Sequence, residues 1–203
     1  VPAVGTMDHF AVQAWERDEM SVAESERAFF ERFYHVYPQH ASLLVDTYDT
    51  FGAQTGIRNA VKATQGNLSG IRIDSQISPE NIRRARHLLD ELGAPQAKII
   101  VSGGMDEDSI QALKEAPVDA FGIGERLVTS ADAPVGVGAV GKLSFINGRP
   151  TMKQARGSGK ATLPGPLQSL RGPRGDRLTL MEGATSASDE RPLIHQVWRG
   201  RER

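Results

Sequence analysis

The sequence predicts an α/β fold for residues 1–137, followed by a small β-rich segment over residues 138–203. In the first part, short apolar runs alternate with helical patterns, which is typical of βαβ units around a parallel sheet. After Ala133-Pro134 this alternation stops, and a hairpin signal at Asn147-Gly148 marks the second part. Hydrophobic residues make up 39% and charged residues 24% of the 203 residues, so a globular chain is expected.

Each predicted strand of the first part is a short apolar run. A first strand is expected around Val4–Met7, just before a histidine. About five β/α units are too few for a closed eight-stranded barrel, but they suffice for an open sheet or for part of a barrel that other chain completes. The four further runs are Leu43–Val45, Ile71–Ile73, Lys98–Val101 and Ala120–Ile123.

The segments between these runs carry helix signals. The clearest helix is expected from Ser78 to Leu92, because Ser78 suits the N-cap, Pro79 the first helical position and Gly93 the C-terminal stop. Three further helices are predicted: one from Ser21 to about Tyr34 with Glu24 completing a capping box, one from Asp106 that ends before Pro117, and one over Gly52–Ala63.

The second part is predicted to contain little regular structure beyond the hairpin. Asn147-Gly148 is a strong two-residue turn signal between the segments Ala139–Ile146 and Arg149–Lys153. Residues 157–175 are rich in glycine, proline and basic side chains and predict a loop, while residues 184–190 predict a linker. One more strand is predicted over Arg177–Glu182.

Charge is distributed unevenly, although the formal net charge of the chain is only −1. Residues 1–137 carry a net charge of −8 and residues 138–203 a net charge of +7. Such an asymmetry occurs in nucleic-acid-binding proteins. No RNA- or DNA-binding fingerprint accompanies it, so two lobes that face each other, or a tail on an acidic partner surface, are favoured over nucleic acid.

Composition also excludes several classes of protein. No run reaches the roughly 18 apolar residues of a membrane span, so no membrane contact is predicted. The chain has no cysteine, which excludes disulfides, thiolate nucleophiles and cysteine-based metal sites. No secretory leader is visible, and a cytoplasmic protein is therefore expected.

Polar side chains or glycines stand at the end of each predicted strand. In parallel α/β proteins the ligand binds at the carboxyl ends of the strands, so we expect these residues to line one rim. They are His9, Asp46, Asp49, Arg72, Asp74, Ser102, Gly103, Gly104, Gly122 and Gly124.

Two neighbouring strand ends are rich in glycine. At Ser102-Gly103-Gly104 the missing side chains allow backbone N–H groups to approach an anion, and the helix that follows directs its positive end there. Gly122 and Gly124 would supply a second set of N–H groups. The pair predicts a phosphate site, and the alternative is two tight strand-to-helix turns without a ligand.

The charged strand ends have several interpretations. Asp46, Asp49 and Asp74 suit ribose hydroxyls, Mg²⁺ or proton transfer. Alternatively, Asp49 caps a helix, and the other two are buried partners of arginine or backbone N–H groups. Arg72 lies between two isoleucines, so its guanidinium is expected to be paired or to bind a planar anion.

His9 suits a general base, a covalent phosphate carrier or a hydrogen-bonded structural histidine. The other histidines lack metal-ligand spacing, and no protein metal site is predicted. Lys153, Lys160 and Thr162 lie in the basic region, where they would contact a pyrophosphate or be solvated.

Several short motifs together resemble the nicotinate phosphoribosyltransferase family, which is related to nicotinamide phosphoribosyltransferase. The resemblance covers residues 1–170, including a Lys/Gly-Lys-x-Thr-x-Pro-Gly segment at Lys153 and Gly159–Gly165. The other motifs are Gly5-Thr6-Met7-x-His9, Leu44–Thr50, Arg72-Ile73-Asp74-Ser75, Ser102–Glu107, Phe121-Gly122-Ile123-Gly124 and Leu127-Val128-Thr129-Ser130.

The resemblance implies a partial irregular α/β barrel of the type II phosphoribosyltransferase kind, with a small β-rich C-terminal segment, from the C-terminal half of the family protein. It implies that nicotinate and 5-phosphoribosyl 1-diphosphate give nicotinate mononucleotide and pyrophosphate in NAD salvage, with ATP hydrolysis coupled. Mg²⁺ would bind the diphosphate. The family also implies a homodimer with the site at the interface.

The resemblance also implies roles for individual residues. His9 matches the histidine that ATP phosphorylates transiently, and Arg72 and Asp74 match residues at the pyridine ring and ribose. The 5′-phosphate cradle would be Ser102, Gly103, Gly104, Gly122 and Gly124.

Where the family usually has Gly-Asp after Arg-x-Asp-Ser, this chain has Gln76-Ile77, and Glu125 stands in the phosphate loop. These departures favour an alternative: a non-catalytic or truncated relative that binds phosphate or a mononucleotide as a scaffold or partner subunit.

Overall fold

A computed structural model describes residues 7–124, 126, 141–157, 159–182 and 186–195. The chain divides into two compact units. One comprises Val1–Leu143 and Lys153–Thr162, and the other Ser144–Met152 and Leu163–Arg203. Residues 153–162 therefore return to the first unit. The predicted boundary between residues 137 and 138 lies outside the described residues.

A four-stranded parallel sheet organises the first unit, in the order β1-β2-β3-β4. Its register pairs Leu43 with Ile71 and Ile71 with Ile99, and all three side chains are buried. The α/β class and the four apolar runs predicted as strands are confirmed. The strands are β1 (Ser42–Leu44), β2 (Gly70–Ile73), β3 (Lys98–Ser102) and β4 (Ala120–Gly122).

Five α-helices belong to the described part of this unit, and four of them follow the predicted pattern. Helix α5 follows its predicted N-cap Asp106 and ends at Ala112, before Pro117 as predicted. The helix α1 at His9 was not predicted, and Met7 lies outside any strand, while Val4–Thr6 lie outside the described residues. The helices are α1 (His9–Ala14), α2 (Val22–Val36), α3 (Ile57–Thr64), α4 (Pro79–Glu91) and α5 (Glu107–Ala112).

The helix ends predicted from local signals are found as expected. The Ser21 hydroxyl accepts from the Glu24 N–H while the Glu24 carboxylate accepts from the Ser21 N–H, which completes the capping box. The Ser78 hydroxyl accepts from the Asn81 N–H at 3.1 Å. Gly93, beyond the last turn of α4, has a φ of 80°, a conformation that glycine adopts without strain.

The start of α3 differs from the prediction of a helix over Gly52–Ala63. Its N-cap is Gly56, with a φ of 61°, and a Cβ there would lie 2.4 Å from the Thr50 carbonyl oxygen. The Gly56 N–H donates to the buried Glu26 carboxylate of α2 at 2.9 Å. The helix therefore begins where a distant side chain accepts its first N–H group.

This Glu26 is fully buried, and burial raises its pKa to about 7 despite hydrogen bonds from Asn59 and Gly56 that lower it. Because the folded pKa exceeds the unfolded value of 4.5, the contribution of Glu26 to stability is greatest below pH 4.5 and is lost as pH rises through 7. The loss is about 3 kcal/mol at most, at 1.36 kcal/mol per pKa unit.

We expect Glu26→Gln to remove this pH dependence and to unfold at higher urea concentration than the unmodified chain at pH 8. The gain is on the order of 2 kcal/mol, since a neutral amide escapes the cost of burying charge. Urea unfolding at pH 5 and pH 8 measures it, with exposed Glu31→Gln on the same helix as control. An equal loss between the two pH values in Glu26→Gln and the unmodified chain would contradict it.

The second unit is antiparallel. Strands β5 (Phe145–Ile146) and β6 (Arg149–Pro150) form the predicted hairpin, in which Asn147 and Gly148 have φ angles of 49° and 80°. Both central residues of a type I′ turn need such angles. The other sheet of this unit has three strands in the order β8-β7-β9. They are β7 (Leu167–Gly172), β8 (Gly175–Leu180) and β9 (Arg191–Pro192).

The loop predicted over residues 157–175 is wrong in its second half, where β7 lies. The strand forms because Leu167 to Gly172 pair with Leu180 to Gly175 across a short turn. Strand formation here depends on contacts with the neighbouring strand, and the sequence of the segment itself gives little indication of it. The strand predicted over Arg177–Glu182 is present as β8, shifted by two residues. No helix in the described ranges is long and apolar enough to cross a membrane.

Candidate active site

The imidazole of His9 is held from both sides. His9 is the first residue of α1, whose N-cap Asp8 accepts from the Ala11 N–H at 2.8 Å. Its Nδ1 lies 3.0 Å from Thr47 Oγ1, just after β1, and its Nε2 lies 2.6 Å from Lys153 Nζ. The side chain is 15% exposed, and its contacts with Thr47 and Lys153 restrain the orientation of the ring.

Two carboxylates from neighbouring strand ends converge on the same nitrogen. Asp46 Oδ1 and Asp74 Oδ2 each lie 3.9 Å from His9 Nε2. Asp46 is buried, and its Oδ2 accepts from the Ser75 hydroxyl at 2.5 Å and from the Asp74 N–H at 3.2 Å. Its Oδ1 has no hydrogen-bond partner in the part of the chain that the structure describes. The predicted rim therefore brings His9, Asp46 and Asp74 together.

Asp74 is ionised at neutral pH. Partial burial raises its pKa, but the His9 ring, the Ser102 hydroxyl at 2.8 Å from Oδ1 and the charge of Lys160 outweigh burial and hold the pKa well below its usual range. Lys160 Nζ also donates to the Asp74 carbonyl oxygen at 2.5 Å. A fixed negative charge thus faces the rim between β2 and β3.

The sequence predicts that Lys153 contacts a pyrophosphate or is solvated, and the solvated interpretation is wrong. Its side chain is 1% exposed, and burial lowers its pKa while the charges of Asp46 and Asp74 raise it. The Thr162 side chain accepts from the Lys153 N–H at 3.0 Å. The contact between His9 and Lys153 spans 144 positions, so only the similarity of the Lys153–Gly165 segment to the family hinted at it.

The two glycine-rich strand ends lie side by side, since Ser102 pairs with Gly122 between β3 and β4. Gly103 has a φ of 97°, and a Cβ there would lie 2.6 Å from the Asp74 carbonyl oxygen. A Cβ on Gly122 would lie 2.9 Å from Ser102 Cβ. Around Gly104 and Gly124 the space within 4 Å of a built Cβ is open. Gly103 and Gly122 therefore allow the two strand ends to pack closely, and Gly104 and Gly124 leave space on this edge of the sheet.

The helix that follows this edge contributes less than expected. Its N-cap Asp106 carries a carboxylate that accepts from the Ser109 N–H at 3.0 Å. The expectation that α5 directs free N–H groups and positive charge at the glycines is weakened, because the helix satisfies part of its own N-terminus.

Arg72 and Asp49 occupy different surroundings. Arg72 lies in β2 between buried Ile71 and Ile73, and its Nε is buried without a partner among the described residues. Asp49 accepts from the Phe51 N–H at 3.1 Å, and α3 starts beyond it, so its interpretation as a helix N-cap is wrong. It lines a cavity of about 410 Å³ with neighbours that include Tyr48, Gln154 and Arg156.

The cavity at His9 is distinct from the cavity at Asp49. It has a volume of about 180 Å³ and is lined by Asp8, His9, Phe10, Gln13, Gly141, Lys142, Leu143 and Lys153. Phe10 is 53% exposed there. The site thus offers a nucleophilic nitrogen, two cations and an exposed ring. Within the described ranges, no group of three or more histidine, aspartate or glutamate side chains is arranged to hold a metal ion.

Gln76 shows how the chain departs from the expected Gly-Asp pair. Its φ is 53°, in the left-handed region that glycine favours, and its carbonyl oxygen accepts from Asn81 Nδ2 at 2.8 Å. The turn after Asp74 and Ser75 therefore keeps the backbone conformation of a glycine although a larger side chain stands there. Glu125 and Leu127–Ser130 lie outside the described residues.

Nicotinate phosphoribosyltransferases are similar to this chain along most of its length. A Mycobacterium tuberculosis relative is 38% identical over 194 residues, which are 96% of this chain and 42% of the relative. A Bacillus subtilis relative is 33% identical over an alignment of 215 positions, which covers 97% of this chain and 41% of the relative. This chain belongs to the nicotinate phosphoribosyltransferase family. The family resemblance of its motifs is thereby confirmed.

Other members of the nicotinate phosphoribosyltransferase family extend this relationship. The Homo sapiens relative is 29% identical over 191 residues, and a crystal structure of the Vibrio cholerae enzyme has a TM-score of 0.57 at 20% identity. That structure, matched over 79% of this chain, shows a common fold. No family model matches the chain. The chain spans about 42% of the length of the first relative.

Proposed function

We propose that this chain carries the phosphoribosyl-transfer site of a nicotinate phosphoribosyltransferase of NAD salvage. Nicotinate and 5-phosphoribosyl 1-diphosphate give nicotinate mononucleotide and pyrophosphate, with ATP hydrolysis coupled. The observation that carries this proposal is the convergence of Lys153, Asp46 and Asp74 on His9 Nε2 beside a glycine-lined sheet edge.

His9 is the residue that ATP phosphorylates in this proposal. Nε2 attacks the γ-phosphorus, an N–P bond forms, and the bond to the bridging oxygen breaks with its electron pair leaving on ADP. Nδ1 keeps its proton and donates a hydrogen bond to Thr47 Oγ1, 3.0 Å away. Water later cleaves the phosphoramidate and releases inorganic phosphate. The restrained ring supplies the orientation that such an in-line attack needs.

The remaining residues of the rim bind the sugar and the base. Gly104 and Gly124 leave open space for the 5′-phosphate, and Ser102, Gly103 and Gly122 lie beside them at the same sheet edge. The Asp74 carboxylate lies near the ribose and stabilises positive charge that develops at C1 in an oxocarbenium-like transition state. The Arg72 guanidinium, whose Nε is without a partner among the described residues, binds the nicotinate carboxylate.

Asp46 and Asp49 complete the proposed substrate-binding set in different ways. Asp46 is buried, with its Oδ2 occupied by Ser75 and Asp74 and its Oδ1 3.9 Å from His9 Nε2, so its charge acts on the substrate through His9. Asp49, which lines the larger cavity, faces the ribose hydroxyls from that side. Mg²⁺ arrives as part of the diphosphate substrate, since magnesium prefers phosphate oxygens and water to a cage of protein ligands.

The experiment that tests this function is mononucleotide synthesis by the purified chain. Nicotinate, nicotinamide and quinolinate are offered separately with 5-phosphoribosyl 1-diphosphate and Mg²⁺, with and without ATP. We expect product from nicotinate and not from nicotinamide, because Arg72 needs a carboxylate partner, and we expect ATP to increase it because ATP phosphorylates His9. No product from any acceptor, together with calorimetric binding of nicotinate mononucleotide, would instead support the non-catalytic alternative that Gln76 and Ile77 favour.

The family resemblance also leads us to propose a homodimer whose site a second copy completes. Sedimentation equilibrium of the purified chain measures its mass against the 22.0 kDa of one copy. A dimer that gains activity with protein concentration supports the shared site. Full activity of a monomer would contradict it.

A further inference from the structure

A buried lysine occupies the nitrogen that the proposed reaction uses as a nucleophile. Lys153 Nζ lies 2.6 Å from His9 Nε2, and the lysine side chain is only 1% exposed. At this distance the two nitrogens share one proton, so one of them donates and the other accepts. An ammonium has no acceptor lone pair, and Nε2 is therefore the acceptor when Lys153 is charged.

This contact selects one tautomer of the imidazole. When Nε2 accepts from Lys153, the ring proton resides on Nδ1, where Thr47 Oγ1 lies at 3.0 Å as its acceptor. The Nε2 lone pair that accepts from Lys153 is then unprotonated, and this is the form that can attack phosphorus once the ammonium moves aside. In the absence of the ammonium, Asp46 and Asp74 at 3.9 Å would favour a proton on Nε2, and the lone pair would be lost.

The same two carboxylates create a difficulty for a phosphoryl group on Nε2. A phosphoryl group carries nearly two negative charges, and Asp46 and Asp74 would both repel it at close range. Lys153 is the buried cation beside them, whereas Lys160 is 44% exposed and Lys142 is exposed and lines the cavity. Asp8, the N-cap before the helix of His9, also lines the cavity, and its Oδ1 accepts from the Ala11 N–H.

The structure holds a second acceptor for the Lys153 ammonium. Asp46 Oδ1 is buried, lies 3.9 Å from His9 Nε2 and has no hydrogen-bond partner among the described residues. A buried carboxylate oxygen without a donor is costly, so a cation that can reach it gains by moving there. Burial lowers the pKa of Lys153, and the charges of Asp46 and Asp74 oppose this lowering only in part.

We propose that Lys153 is a positioning residue with two successive partners, His9 Nε2 before phosphorylation and the phosphoryl oxygens with Asp46 Oδ1 afterwards. The inference rests on the proposed function. In the first position Lys153 holds the attacking lone pair of His9. When the N–P bond forms and ADP leaves, Nε2 no longer accepts, and the ammonium keeps its three protons while it shifts to the neighbouring oxygens.

The first measurement needs no substrate. In ¹⁵N-labelled full-length chain, the His9 ring is expected to show a protonated Nδ1 and an unprotonated Nε2 at pH 7.5. In Lys153→Met this pattern is expected to change to a mixture of tautomers with substantial protonation of Nε2, because the donor is lost. Lys153→Arg, which also donates, restores the pattern. The exposed variant Lys114→Met serves as the matched control, and the amide spectrum reports whether each variant is folded.

The second measurement is the fraction of phosphohistidine formed at saturating Mg-ATP. We expect Lys153→Met to lower this fraction at least about tenfold, since the phosphoryl group loses its counter-charge beside two carboxylates. Lys153→Arg retains most of it. Unchanged tautomers and an unchanged phosphorylated fraction in folded Lys153→Met would overturn the inference. A tautomer change in Lys153→Met with no phosphohistidine in the unmodified chain would overturn the proposed function and support the positioning role.

Discussion

Replacing His9 by alanine is expected to abolish the ATP-stimulated part of mononucleotide synthesis, with a fall of at least about 100-fold, because the atom that carries the phosphoryl group is removed. Transfer of ³²P from γ-labelled ATP to the chain falls to background for the same reason. Both quantities are measured with nicotinate, 5-phosphoribosyl 1-diphosphate and Mg²⁺ present.

Two further variants separate chemistry from folding in this experiment. His9→Gln keeps a polar side chain between Thr47 and Lys153 but cannot form the phosphoramidate, so it is expected to behave like His9→Ala. His87→Ala removes a histidine whose side chain is 76% exposed and is the matched control. ATP stimulation that survives at full size in folded His9→Ala would show that another group receives the phosphoryl.

Asp74→Asn is expected to lower kcat on the order of 100- to 1000-fold with a smaller change in KM. The carboxylate is a fixed negative charge whose value to the reaction is greatest where positive charge develops, in the transition state. The amide can still accept from Ser102 and occupies the same volume, so the fold is expected to persist. Steady-state kinetics with varied 5-phosphoribosyl 1-diphosphate measure the split between kcat and KM.

The control for this substitution is Asp108→Asn, which changes an exposed aspartate of α5 in the same unit. A kcat of Asp74→Asn close to that of Asp108→Asn would remove Asp74 from the reaction. A rise in KM with kcat unchanged would assign Asp74 to ground-state binding of the sugar and not to stabilisation of the transition state.

Local signals in the sequence were sufficient for most of the first unit. The helix after Ser78 and its end at Gly93 follow from contacts within a few residues, and so does the hairpin turn at Asn147 and Gly148. The four apolar runs are short enough to be strands, and the intervening helices make them parallel. These features depend on neighbours in the chain, which the sequence displays directly.

Other elements depend on partners far away in the chain. β7 is a strand because β8 and β9 pair with it, although its own residues are typical of a loop. The start of α3 is set by Gly56 and by Glu26, which lies 30 positions earlier. In both cases the partner is chosen by tertiary packing, and the local pattern is weak or misleading.

The sequence by itself determined the α/β class and the strand ends at which Asp46, Asp74 and the glycines stand, whereas His9 begins helix α1. It did so because parallel strands place their carboxyl ends on one edge whatever the details of packing. Only the tertiary structure decided that Asp49 lines another cavity and that Lys153 lies against His9. The physical reason is that residues 153–162 return to the first unit, where a buried ammonium and two carboxylates meet one imidazole nitrogen.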